Sequence, residues 1–373
     1  MIYLDNAATT WPDPEVVRVM TETLNNCSGN PSSLHGPGRA AARVLTVSRE
    51  TVAKALGGGI VYFTSGGTES INWAIQGALH VKRHKGRHII ATAVEHDAVL
   101  APLRELANAG YEVTLLAPDK SGQISPDALV NALRPDTALV SVMLVNNETG
   151  TIFPVQEMVR LVREHSSALF HTDAVQAFCK IPFTATDLGI DLLSVNAHKL
   201  HGPKGVGALW VRNGLTLPPL LKGGGQEAGL RSGTEALHNI AGFAKAVELA
   251  AARFEETTAH LNALQACIRE ALPTAVPKAR FLPGGAPHIV SLSLPGAKSE
   301  VLMNFLDRQD IAVSHASACK RGGRSHVLSA LGLPNDVIDG TLRVSFSRDT
   351  AFEDVDCFVR ALAEASITLF PSL

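Results

Sequence analysis

This chain is short of export signals, membrane spans, paired cysteines and net charge, and each absence narrows its function. The opening residues, MIYLDNAATT, have neither a basic start nor an apolar segment. No secretory signal is recognised, and a cytoplasmic setting is expected. No stretch approaches about 18 uninterrupted apolar residues, so no membrane span or membrane partner is expected. The five cysteines, Cys27, Cys179, Cys267, Cys319 and Cys357, are odd in number, scattered and without a CxxC pair. A disulfide framework and a structural zinc site are therefore poor readings, and no metal is expected. The formal net charge of −2 argues against nucleic acid or an anionic lipid surface as the main partner. Internal repeats and low-complexity tracts are also missing.

What the chain does have is core material. Its 373 residues are 46% hydrophobic and 18% charged, enough for one large domain and a smaller one. Short apolar runs at residues 60–63, 88–91, 113–116, 138–144, 168–172, 192–195 and 206–211 read as strands. Helical patterns at 69–82, 98–109, 126–133 and 155–164 fall between several of them. Such alternation predicts an α/β fold with a mostly parallel sheet covered by helices on both faces. Ligands in these folds collect at the carboxyl ends of the strands. A long helical pattern at 236–272 then stops near Pro273. Beyond it, strands at 289–294, 311–314 and 341–346 and helices at 300–308 and 352–368 read as a smaller α+β domain. The expected division is 14–255 for the large domain, with 1–13 and 256–373 forming the small one.

The motifs carrying chemistry mostly follow the strand runs. The most informative is SVNAHKLHGPK at 194–204, which sets Lys199 after a histidine at the mouth of a strand end. Asp173, in HTDAVQA, precedes it by 26 positions. A lysine that holds an aldehyde as an imine and a carboxylate that keeps a pyridine nitrogen protonated are the two groups a pyridoxal phosphate enzyme needs. The plain alternatives are a surface lysine, the reading for Lys204 and Lys222, and for Asp173 a helix-capping or metal-ligating carboxylate. Gln176 sits three residues beyond Asp173 and could share its site. His96 follows a strand and starts a helix, so it is either a cap or a ring-stacking group. Gly67 and Thr68, in SGGTES, open a helix whose free N–H groups suit a phosphate, or else form a simple tight turn.

Further along, Cys319 stands among Lys320, Arg321 and Arg324 beside Gly322 and Gly323. Electropositive, accessible surroundings favour a thiolate, although a loop cysteine without a role fits the same pattern. Arg343 is a candidate fork for a substrate carboxylate, with Arg348 as its competitor and a surface ion pair as the bland reading. The glycine-rich GGGQEAGLRSGT at 223–234 is either an interface-crossing loop or a surface loop.

Taken in order, YLDNAATT, GNPSSLHGPGR, FTSGGTES, VEHDAVL, NNETGTI, HTDAVQA, SVNAHKLHGPKGVGAL, GGGQEAGLRSGT, SAC and LRVSFSRDT run almost end to end. Together they resemble the cysteine desulfurases of the class V aminotransferase group, in the NifS/IscS-like branch. That resemblance implies a fold type I enzyme dependent on pyridoxal 5′-phosphate (PLP), with a mostly parallel seven-stranded sheet, working as a homodimer with sites at the subunit interface. By the same resemblance, Lys199 binds the cofactor aldehyde, Asp173 pairs with the ring nitrogen, Gln176 contacts the ring hydroxyl and His96 stacks on the ring. Gly67, Thr68, Asn196 and His198 would hold the phosphate, with Thr234 arriving from the partner subunit. Asn147 and Arg343 would bind the substrate carboxylate, and Cys319 would take sulfur from L-cysteine as a persulfide for an acceptor or scaffold protein in iron–sulfur cluster or thiolation pathways.

Three departures from the family pattern are visible. Asn196 stands at a position where serine is usual, His315 and Ala316 replace small residues, and Ser347 replaces a glycine. The segment around Cys319 is also about two residues shorter than is common, and unusually basic. The altered loop, with His315 and its short basic segment, motivates an alternative, a selenocysteine lyase or related β-eliminating lyase acting on L-selenocysteine. A remote third reading is a non-catalytic, partner-binding scaffold.

Overall fold

Apolar residues on adjacent positions of one strand must point to opposite faces, so continuous apolar runs need cover on both sides. The computed structural model, which describes residues 1–315 and 323–371, meets that demand. After the short β1 (Ile2–Tyr3), seven strands share one sheet: β2 (Ile60–Thr64), β3 (His88–Thr92), β4 (Glu112–Leu116), β5 (Thr137–Ser141), β6 (Leu169–Asp173), β7 (Leu192–Asn196) and β8 (Gly207–Val211). Their order is β2-β8-β7-β6-β5-β3-β4, and only β8 runs against the rest. Ile90, Val140, Phe170 and Leu193 enter the core on one face, while Ile89, Leu139, Leu169 and Leu192 enter the core on the other.

The register brings chemistry to one edge of this sheet. Asp173, the last residue of β6, lies opposite Ser194 of β7, and Asn196 ends β7 opposite Gly207 of β8. Gly207 has to be glycine here. A Cβ would stand 2.7 Å from the Val195 carbonyl oxygen and 2.7 Å from the Gly66 carbonyl carbon. Lys199 follows three residues after β7, in the loop that leads to the reversed strand.

The smaller unit is built around β9 (Arg280–Phe281), β10 (Ile289–Ser293), β11 (Ile311–Ala312), β12 (Ser314–His315) and β13 (Thr341–Ser345). An antiparallel sheet takes the order β12-β13-β10-β9, whereas β11 pairs with β1 at the start of the chain. This unit has a separate apolar core, which includes Leu4, Leu264, Val290, Leu342 and Phe358.

Three expectations need correction. The 236–272 pattern is two helices, Leu237–Ala252 and Phe254–Ala275, broken at Arg253, whose ψ of 15° departs from helical geometry. Pro273 lies inside the last turn of the second helix, which runs two residues beyond it to Ala275. The strand expected at 138–144 is Thr137–Ser141, although the Val142 and Leu144 N–H groups still donate to the His171 and Asp173 carbonyls of β6. The helices Pro14–Asn26 and Gly36–Ala55 had no counterpart in the sequence reading.

The glycine-rich segment is tied down by charge. Glu227 and Ala228 adopt positive φ of 49° and 57°, which costs energy in residues that carry a Cβ. Glu227 is buried and accepts from Arg49 Nη1 at 2.6 Å, Arg49 Nη2 at 2.8 Å and the Phe63 N–H at 2.9 Å. Glu227→Ala leaves the Phe63 N–H without this acceptor and the half-buried Arg49 guanidinium without its carboxylate, holding only the Val61 carbonyl and the Phe63 ring face. It is expected to cost about 2–3 kcal/mol, read as a lower urea midpoint at unchanged slope.

Candidate active site

The carboxyl ends of β6 and β7, the start of helix Gly67–Val81 and the Arg343 side chain of β13 surround one cavity of about 600 Å³. That volume suits a small-molecule site. Lys199, Asp173, His96, Gln176, Asn196, His198, Gly67, Thr68, Asn147 and Arg343 all line it. Ten of the twelve residues expected to form a site are therefore brought together. Thr234 is exposed and does not line this cavity. Cys319 lies outside the described residues.

Burial sets the electrostatics. Asp173 is buried, and desolvation raises its pKa, against the pull of the Val175 N–H (2.9 Å from Oδ1), His96 and Lys199. Burial also holds His96 below its ordinary pKa, keeping the ring neutral near pH 7, with Asp173 acting in the opposite direction. His96 Nδ1 accepts the Ala98 N–H at 3.1 Å, so the neutral ring carries its proton on Nε2. His96 is thus both the helix cap and a cavity group; the two readings left open by the sequence are compatible. His198 is pushed down to about 4, by burial first and then by Lys199, Lys180 and Lys204.

Lys199 Nζ donates to the carbonyl oxygens of Ala7 and Ala8 at 2.5 and 2.7 Å. Gln176 Nε2 donates to the same Ala7 oxygen at 2.8 Å, which fixes the orientation of its amide. Arg343 is almost fully buried. It reaches the Asn147 carbonyl through Nη1 at 2.8 Å and Asp5 Oδ1 through Nη2 at 2.8 Å. Arg348, its competitor in the sequence, pairs with Asp13 and lines a different, smaller cavity.

Sequence reasoning missed the part played by Asp5, Ala7 and Ala8. YLDNAATT was noticed as a motif without any role for its backbone. Carbonyl oxygens have no sequence signature, but a polar segment followed by small residues was the available clue. Glu148 was missed as well. It is buried, accepts from the Ser325 hydroxyl and lies within the field of Arg343. This contact fastens residue 325, just past the segment that carries Cys319.

The comparisons with known proteins agree with this geometry. The family model for class-V aminotransferases matches residues 2–358. The chain belongs to the class-V aminotransferase family. The cysteine desulfurase IscS of Methanosarcina thermophila is 42% identical over 372 residues, covering 97% of this chain and 91% of that protein. The IscS cysteine desulfurase of Clostridium botulinum is 39% identical over 370 residues, covering 97% and 93%. A solved structure described as a NifS-like protein superposes with a TM-score of 0.92 at 36% identity, covering 100% of both chains.

This is a PLP-dependent family, and the cavity fits that cofactor. Asp173 is an acid whose ionised form needs a cation opposite, which a protonated pyridine nitrogen supplies. Gln176 Oε1 is buried without a hydrogen-bond partner among the described residues, an acceptor that would suit a ring hydroxyl. The Gly67 end of its helix offers first-turn N–H groups that the helix cannot satisfy internally. Asn196 Nδ2 lies on the same side, 3.5 Å from where a Gly67 Cβ would be.

Glu148 supplies a pH test. Burial pushes its carboxyl up to about 7, with the Ser325 hydroxyl and Arg343 pulling the other way. The folded protein therefore binds this proton more tightly than the unfolded chain, and its contribution to stability is lost as pH rises from about 4.5 to about 7. Glu148→Gln should remove that loss. Relative to wild type it gains about 2 kcal/mol between pH 5 and pH 8, measured as the pH dependence of the difference in urea midpoints.

Proposed function

We propose that this protein is a PLP-dependent cysteine desulfurase, converting L-cysteine to L-alanine and passing the sulfur to Cys319. The convergence of Lys199, Asp173 and Arg343 on one cavity is the observation that carries this reading. The activity named for the relatives from M. thermophila and C. botulinum supports it.

PLP, when bound, supplies an aldehyde for an amine and a ring that draws electron density from the substrate Cα. Asp173 would keep the ring nitrogen protonated. Lys199 would hold the cofactor, and its Nζ, oriented by the Ala7 and Ala8 carbonyls, would take the substrate Cα proton. His96 covers the ring and keeps a proton on Nε2. Arg343, already turned toward the cavity by Asp5 and Asn147, receives the substrate carboxylate with Asn147 beside it. His198, Thr68, Gly67 and Asn196 take the phosphate.

The net reaction breaks the substrate Cβ–S bond, forms an S–S bond at Cys319 and adds a proton at Cβ. Alanine and an enzyme persulfide result, and no outside oxidant is required. The exposed position of Thr234 supports a role in the site of a second subunit, and hence a homodimer. The separate core that runs from Leu4 and Leu261 to Ala365 supports a small unit close to 1–13 with 256–373, although Ala7, Ala286, Ile289 and Val327 pack into the core of the large one. A cytoplasmic sulfur acceptor completes the reading.

Two experiments test these roles. Lys199→Ala should lose the visible absorbance of the bound cofactor and about 10²–10⁴-fold in alanine formation. Cys319→Ala should keep that absorbance and form no persulfide, assayed with cysteine and selenocysteine side by side. Full sulfur release from cysteine by Cys319→Ala would remove Cys319 from the role, and strong selenocysteine preference in the wild type would favour the lyase. For substrate binding, Arg343→Lys loses the planar fork, so the KM for L-cysteine should rise about tenfold or more, with a smaller change in kcat. An unchanged KM would move the carboxylate site elsewhere.

A further inference from the structure

A second, smaller cavity lies behind the catalytic one. Lys199 is the residue common to both linings, and the smaller space amounts to about 40 Å³. One water needs about 10–15 Å³ by the same measure. Lys180, which follows β6, approaches this space from the large unit; His288, which precedes β10, and Arg348, which follows β13, approach it from the small one.

Its polar atoms are mostly donors that nothing satisfies. Lys180 Nζ, Arg348 Nε and both ring nitrogens of His288 are buried without hydrogen-bond partners among the described residues, and His288 is 0% exposed. Thr10, also in the lining, is already committed, donating to the His198 carbonyl and accepting the His201 N–H. Positive charge is in excess as well. Lys199 and Arg343 act on Lys180, and both repel its ammonium. Asp13 is engaged by Arg348, while the largely exposed Asp349 stands 3.8 Å from Arg348 Nε and 3.8 Å from His201 Nδ1. The Cys179 thiol is pushed up to about 12 by burial, so it brings no counter-charge.

An unpaired ammonium in such a place must either lose its proton or gain an anion. Water would satisfy the donors but leave the charge uncompensated. We infer that this cavity binds one halide-sized monovalent anion, chloride in ordinary solution, between Lys180 Nζ and the His288 ring. The bound ion joins the two structural units and moderates the positive field behind Lys199. Burial, together with Lys199 and Arg343, otherwise pushes Lys180 down to about 7.

The test uses cofactor-loaded enzyme and is independent of turnover, so it stands or falls separately from the desulfurase assignment. Crystals grown with bromide replacing chloride, measured at the bromine absorption edge, should give an anomalous peak within hydrogen-bonding reach of Lys180 Nζ and His288. Chloride should also raise Tm saturably by about 3 °C over gluconate at equal ionic strength. Lys180→Met and His288→Leu should each abolish that rise. Ordered water without anomalous signal at this site in the wild type, or equal Tm in chloride and gluconate, would overturn the inference.

Discussion

A carboxylic acid at the dry end of a central strand is the constraint around which this molecule is arranged. Burial of Asp173 opposes its negative charge, and the groups that favour it are a backbone N–H, a histidine and the ammonium of Lys199. A ring nitrogen placed opposite would take over that duty and remain protonated by it. The parallel order of β5, β6 and β7 makes the arrangement possible, since it ends neighbouring strands at the same edge. The reversed β8 then returns the chain directly past the loop that carries Lys199.

The start of the chain joins this edge to the smaller unit. Ile2 and Tyr3 pair with β11, Asp5 holds Arg343 of β13, and the carbonyls of Ala7 and Ala8 hold Lys199. One eight-residue stretch thus orients both the group for the cofactor and the group for the substrate carboxylate. Any shift of the smaller unit would be transmitted to Lys199 through backbone carbonyls. The anion inferred among the cations behind that lysine would add a second connection between the units.

Much of this was legible in the sequence. Continuous apolar runs gave the seven strands, because a strand covered on both faces has little room for polar residues. Nine of the ten cavity residues were legible because each lies at or just past a strand end, where parallel sheets gather ligands; Arg343, inside β13, is the exception. What stayed hidden was long-range and made by the backbone. The carbonyls of Ala7 and Ala8 carry no side-chain signal, and the Glu148–Ser325 contact spans 177 positions. The break at Arg253 was obscured because helical periodicity continues on both sides of it. The pairing of the N-terminus with β11 involves only two residues per strand, too few for a pattern.

The central claim concerns which amine carries the cofactor, and the structure offers a rival, since Lys180 is also buried and close to Lys199. Borohydride reduction of the cofactor-loaded enzyme followed by peptide mass mapping separates the two. A pyridoxyl group on Lys199 alone is the predicted result. A label on Lys180, or no covalent label on the folded enzyme, would contradict the account.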